Sequence, residues 1–128
     1  MQPQEMFDTV VNHLCDQGKR AGDEIGGCAY RAPCGAKCAV GALINDDEYT
    51  SDMEGMGVGN LIGEEFLPAR LLPEADLLRR LQNTHDCWGN WNDFGLSATG
   101  LKKLRQIATN FELSTSVLDR RIAVMAVN

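Results

Sequence analysis

The stretch CAYRAPCGAKCAVGALINDDEY, Cys28 to Tyr49, decides how this chain is read. Three of the five cysteines fall within eleven residues of it, and an acidic run follows at once. It admits three readings: a metal knuckle, a catalytic thiol, or the turn of a hairpin. Ala32-Pro33-Cys34-Gly35-Ala36 places Pro and Gly where a turn needs them. Cys28 to Arg31 then reads as a short strand, with Lys37 to Val40 returning antiparallel. A two-stranded hairpin is marginal alone and has to lean on helices. Beyond it, Val40 to Ile44 is apolar, with small residues at Ala39, Gly41 and Ala42 that let another backbone come close. This segment reads as a central short helix, with Cys38 just before it.

The flanks supply the helices. Phe7, Val10, Val11 and Leu14 form one apolar stripe at i, i+3, i+4 and i+7, with Pro3 in the first turn and Gly18 at the end. His13 falls towards solvent on this reading and has no role. Gly22 to Gly27 is expected to be a loop. Leu72-Pro73-Glu74 opens a second long helix whose stripe is Leu77, Leu78, Leu81, His85 and Trp88, stopped by Gly89. The segment from Gly89 to Gly95 reads as a turn-rich loop. Ser97 caps a third helix, stapled by Leu96 and Leu101, with Leu104, Ile107, Ala108 and Phe111 on the buried face. Ser114 or Ser116 can cap a last helix through Val117, Leu118 and Ile122. The fold class expected is α+β: one mainly helical domain over residues 1–128, packed around a small hairpin or short antiparallel sheet. Residues 46–63 are expected to be an acidic, glycine-rich irregular loop within it.

Charge is distributed unevenly. The net charge is −6 over 128 residues. Residues 46–76 hold nine acids against Arg70 alone, whereas residues 77–128 hold seven bases and four acids. The middle is therefore a concentrated negative patch, which repels nucleic acid and attracts basic protein surfaces. No apolar run approaches the length of a membrane span. The start, MQPQEMFDTVVNHL, carries Glu5 and Asp8 and no basic segment, unlike a signal peptide. A cytoplasmic protein with reduced thiols is expected, with no membrane partner.

Candidate chemistry is weak in each class. Cys28, Cys34 and Cys38 are spaced C-x5-C-x3-C, without the paired C-x2-C knuckles of structural zinc. His85 and Cys87, two apart on a helix, point in different directions, so no metal and no cofactor is expected. Pro33-Cys34-Gly35-Ala36-Lys37-Cys38 also fails the zinc-deaminase pattern. A cysteine-dependent enzyme would use Cys38, its thiol acidified by a following helix, with His85 as base and Asp86 or Asp93 as orienter. On the helix Asp86 is expected to point away from His85. Gly55, Gly57 and Gly59 do not complete a dinucleotide fingerprint, and Asp46, Asp47 and Glu48 lack the alternation of a calcium loop. Gln106 to Leu118 loosely matches a helix-turn-helix, with Glu112 in place of the turn glycine and Arg121 where an apolar residue belongs. Lys102, Lys103, Arg105, Arg120 and Arg121 would give a DNA-binding regulator its charge, against an acidic whole that argues against direct nucleic-acid binding.

CAYRAPCGAKCAVGALINDDEYTSDMEG, with LQNTHD at Leu81–Asp86 and LRQIATNF at Leu104–Phe111, resembles a family of small phage and prophage proteins. Their pattern is C-x-Y-R, then G-x-K-C-A-V-G-x-L-I-x-D-x-x-Y, M-E-G and L-Q-x-x-H-D. The family is uncharacterised, so the resemblance implies a context rather than an activity. Relatives carry an ordinary turn residue where Cys34 stands, which weakens the zinc reading further. In that context a non-enzymatic interaction protein is expected, one that binds a basic, nucleic-acid-handling host protein. An inhibitor of a defence nuclease such as a CRISPR complex is the specific form. Asp46, Asp47, Glu48, Asp52 and Glu54 would meet the basic surface, with Tyr30, Tyr49 and Trp91 as anchors. A homodimer is left open. The alternatives are a small-molecule binder or enzyme at Cys38 and His85, and the helix-turn-helix regulator.

Overall fold

The computed structural model describes residues 1–22 and 28–127. The expected loop at 22–27 lies outside the described residues apart from Gly22. Helix α1, Pro3–Gln17, buries Met6, Phe7, Val10, Val11 and Leu14. Pro3 supplies the preset φ of a first turn, and Gly18 ends the helix at φ 69° with its N–H donating to the Leu14 carbonyl at 3.0 Å. His13 is not idle at the surface. Its Nε2 lies 2.8 Å from the Lys37 carbonyl and ties α1 to the turn segment.

The turn at Ala32–Ala36 forms as expected, with Ala32 N–H donating to the Ala36 carbonyl at 2.8 Å and Gly35 at φ 93°. The expected hairpin does not extend from it. Arg31 and Lys37 make one antiparallel bridge, and then Cys38 starts helix α2, Ala39–Leu43. The Cys38 sulfur accepts from the Gly41 N–H at 3.3 Å, so a thiol takes the place of the usual hydroxyl cap. Gln82, buried on the opposite helix, accepts from the Val40 N–H at 3.0 Å. Both amides of this short helix end are thereby satisfied away from water. A Cβ on Gly41 would stand 1.9 Å from the Tyr30 carbonyl oxygen, so only glycine permits this approach.

Residues 46–63 are not an irregular excursion. They contain a 3-10 turn, Ser51–Met53, and helix α3, Val58–Gly63, with Met53, Val58 and Leu61 in the core. A second 3-10 turn, Ala69–Glu74, leads into α4, Ala75–Asp86, which buries Leu77, Leu78, Leu81 and His85. Trp88 leaves the stripe because α4 ends at Asp86. It sits in a further 3-10 turn and is 65% exposed.

The true hairpin lies in the segment expected to be loop. Strands β1, Trp91–Asn92, and β2, Gly95–Leu96, pair antiparallel, Trp91 opposite Leu96 and Asn92 opposite Gly95. The Asn92 side chain accepts from the Phe94 N–H at 2.8 Å, and Gly95 takes φ 133°, which only glycine adopts freely.

Ser97 then caps α5, Ala98–Asn110, by accepting from Gly100 N–H at 3.2 Å. Leu104, Ile107 and Ala108 are buried, while Leu101 and Phe111 are half-buried at the edge of the face. Helix α6 covers Ser116–Val127. Helices α1, α2 and α4 meet in the core, α5 backs α4, and α6 lies on α1. Each fully buried Leu or Phe there contributes about 1.5–3 kcal/mol. Gln4 closes the two ends of the chain together: its amide nitrogen donates to the Ser114 carbonyl at 3.0 Å and its oxygen accepts from the Ser114 N–H at 2.7 Å. Arg121 on α6 pairs with Asp16 on α1. The described residues are thus mainly helical with one small antiparallel sheet, an α+β architecture.

Candidate functional site

The acidic segment folds around two arginines. Glu48 receives Arg70 at 2.6 and 3.3 Å and the Asn45 N–H at 2.8 Å, and Arg70 also reaches the Leu43 carbonyl. The guanidinium holds the Glu48 carboxyl below its ordinary range. Asp46 pairs with Arg31 at 2.8 Å, and that guanidinium lies over the Tyr49 ring, 4.6 Å from its centre. Glu54 accepts three hydrogen bonds: from Tyr30 N–H at 2.8 Å, Arg31 N–H at 3.1 Å and the Tyr49 hydroxyl at 2.6 Å. It clamps the segment to the opening stretch of sequence.

The expected contact residues therefore divide. Tyr30 is buried and donates its hydroxyl to the Met56 carbonyl, so it presents no anchor to a partner. Trp91 is half-buried and donates to the His85 carbonyl at 2.8 Å, with its ring edge-on to the His85 ring. Glu48, Tyr49 and Glu54 are held in internal bonds. Asp46, Asp47 and Asp52 stand at the surface. Among the described residues, Asp47 and Asp52 form no ion pair, nor do Glu64 and Glu65, which are exposed just beyond α3.

Glu65 borders a groove that the sequence did not disclose. Ile62, Phe66, Leu67, Pro68 and Leu72 line about 590 Å³, with Glu48 and Glu65 at its rim. The groove exists because the chain doubles back after α3. Glu65 takes φ 60°, and Phe66 N–H donates to the Leu61 carbonyl at 2.8 Å. The nearest sequence signal is the pair Phe66-Leu67 directly after two acids, which marks a sharp return to the core.

Neither Cys38 nor His85 is activated, and no hydrogen bond joins the two among the described residues. Cys38 has no exposed surface, and burial pushes its thiol up to about 12, more than the amides at its helix end can offset. His85 is also fully buried. Its Nε2 accepts from Ala21 N–H at 2.9 Å, which leaves Nδ1 to donate to Asp86 at 2.8 Å. Contrary to the helical expectation, Asp86 turns back onto His85, and Gln82 supports it from one turn earlier at 2.9 Å. Both ring nitrogens are occupied, so no lone pair is left for a substrate proton. Arg20 donates to the Cys28 sulfur at 2.7 Å and to the Asp86 carbonyl at 3.0 Å. Burial first, and Asp86 second, push the Cys28 thiol up to about 11. The exposed Cys34 is the contrary case, lowered by the Ala36 amide and by Lys19. Among the described residues, no group of three or more His, Cys, Asp or Glu side chains is placed to hold a metal ion.

Helices α5 and α6 follow one another across a short turn. Glu112 occupies the turn at φ 55°, where glycine is usual. Helix α6 lies on α1, with Arg121 consumed by Asp16, and Asp119 takes Arg105 at 2.9 Å. Among the described residues no helix is long and apolar enough to cross a membrane. Against known proteins, no family model, no curated protein and no solved structure matches this chain.

Proposed function

We propose that this protein acts by binding, without chemistry of its own, a host protein that presents a basic, nucleic-acid-handling surface. The reading takes the chain as phage-type, working in the host cytoplasm, and its specific form is inhibition of a CRISPR-type defence nuclease. One observation carries it: Asp47, Asp52, Glu64 and Glu65 are exposed without ion-pair partners among the described residues, and Glu65 borders an apolar groove. Unpaired surface charge of one sign raises association rates with the opposite sign, and the apolar floor supplies what charge alone does not. Asp46 joins this face, whereas Glu48, Tyr49 and Glu54 shape it from within.

The test is plasmid interference in cells carrying a defined CRISPR system, with and without this protein. Inhibition by the wild type, lost in the D47K/D52K/E64K/E65K variant with helical content unchanged by circular dichroism, is the expected result. Purified effector and inhibitor should associate more slowly as salt rises. Full inhibition by the charge-reversed variant overturns the electrostatic reading. No inhibition of any defence nuclease tried overturns the inhibitor form.

A further inference from the structure

Helices α4 and α5 leave a second groove between them, of opposite character. On α4, Arg80 and Asn83 face it; on α5, Lys103, Gln106 and Asn110 do, at the i, i+3, i+7 spacing of one helical face. Two adjacent cavities, about 220 and 500 Å³, share Arg80 and Asn83 in their walls. Phe111 walls the larger one, with the Arg80 guanidinium 5.8 Å from its ring centre. Among the described residues, neither Arg80 nor Lys103 has an acidic partner, and no hydrogen bond engages the Asn83, Gln106 or Asn110 side chains. Among the described residues the one carboxylate on the groove, Asp76, lies 3.4 Å from Arg79.

We propose that this groove binds a nucleotide unit, its phosphate on Arg80 and Lys103 and its base against Phe111. A guanidinium and an ammonium without counter-charges are suited to a phosphate oxygen cluster. Carboxamides carry a donor and an acceptor together, which is what the edge of a nucleobase pairs with. An aromatic wall beside an arginine gives the base a stacking surface. The net charge of −6 sets the whole molecule against polyanions, so the groove is a local positive exception. It uses other elements than the acidic face, so either reading can fail without the other.

The experiment is NMR titration of the isotope-labelled full chain with three probes: inorganic phosphate, AMP and a twelve-residue oligothymidylate. Saturable shifts of the Asn83, Gln106 and Asn110 side-chain amides with AMP are expected. R80E/K103E should weaken AMP by about tenfold or more, as loss of charge-assisted bonds does. K19E, equal in sign of charge change but on another segment, should bind like the wild type, and K103E alone covers the case of a misfolded double variant. Tighter binding of the oligonucleotide with a steep salt dependence assigns the groove to a strand, and equal or weaker binding assigns it to a free nucleotide. Phosphate binding as tightly as AMP, shifts mapped elsewhere, or no saturable shift overturns the proposal.

Discussion

Replacing Glu54 by alanine separates a structural carboxylate from a contact residue. Its side chain accepts from two backbone amides and one hydroxyl, at 2.8, 3.1 and 2.6 Å. Hydrogen bonds to a charged acceptor contribute about 1.5–3 kcal/mol each when buried. Glu54 is only half-buried, so water re-solvates part of what is lost, and the cost of E54A should be about 2–3 kcal/mol. With a urea slope of about 1.5 kcal/mol/M, the unfolding midpoint should fall by about 1.3–2 M with the slope unchanged. Y49F removes the hydroxyl alone and should cost about 1 kcal/mol, and the double variant should be less than additive because the two share a bond. A midpoint shift of E54A under about 0.5 M would refute the clamp. Glu54 would then be a free surface acid.

Other outcomes follow from the same contacts. Glu65 and Glu112 sit at φ 60° and 55°, so E65G and E112G should each stabilise by about 0.5–1 kcal/mol in urea unfolding, and destabilisation by either would refute the strain. A disulfide reagent should label exposed Cys34 and Cys87 first, Cys15 and Cys28 later, and Cys38 only on global unfolding; rapid labelling of Cys38 would restore a thiol mechanism. The Glu48 carboxyl is held below its ordinary value of 4.5 by Arg70, so its contribution is present above that value and is lost as pH falls through the folded value. E48Q should flatten the acid limb of stability against pH, and an unchanged limb would discount the Arg70 pairing.

How much of this was legible depended on whether the signal was local. The α1 stripe, the Gly18 stop and the Ser97 cap are decided within a few residues, and each stands where expected. The turn at Pro33–Gly35 was equally local, but the number of ladder rungs beyond it was not. Cys38 ends the ladder by capping α2 with sulfur, a role that residue type does not announce. In residues 46–63 acids and glycines hide the local pattern, while Met53, Val58 and Leu61 find their partners at long range. The exposed acids Asp47 and Asp52 could be read directly. The groove beside Glu65 could not, because it is made by one left-handed residue reversing the chain. Asp86 was misplaced for a similar reason: helical spacing says nothing of a side chain that curls back on its neighbour.

The clasp of Gln4 on Ser114, with Arg121 on Asp16, sets a schedule for synthesis. Asp16 and Arg121 are 105 residues apart. A ribosome adding about 5–20 residues/s needs roughly 5–20 s to span them. For that time α1 exists without the helix that lies on it. The nascent protein therefore carries an uncovered helix surface for far longer than a helix takes to form, about a microsecond or less. Whatever guards the chain from aggregation must act in that interval, and variants that weaken the α1–α6 clasp should show their first loss in yield from translation rather than in the stability of the finished fold.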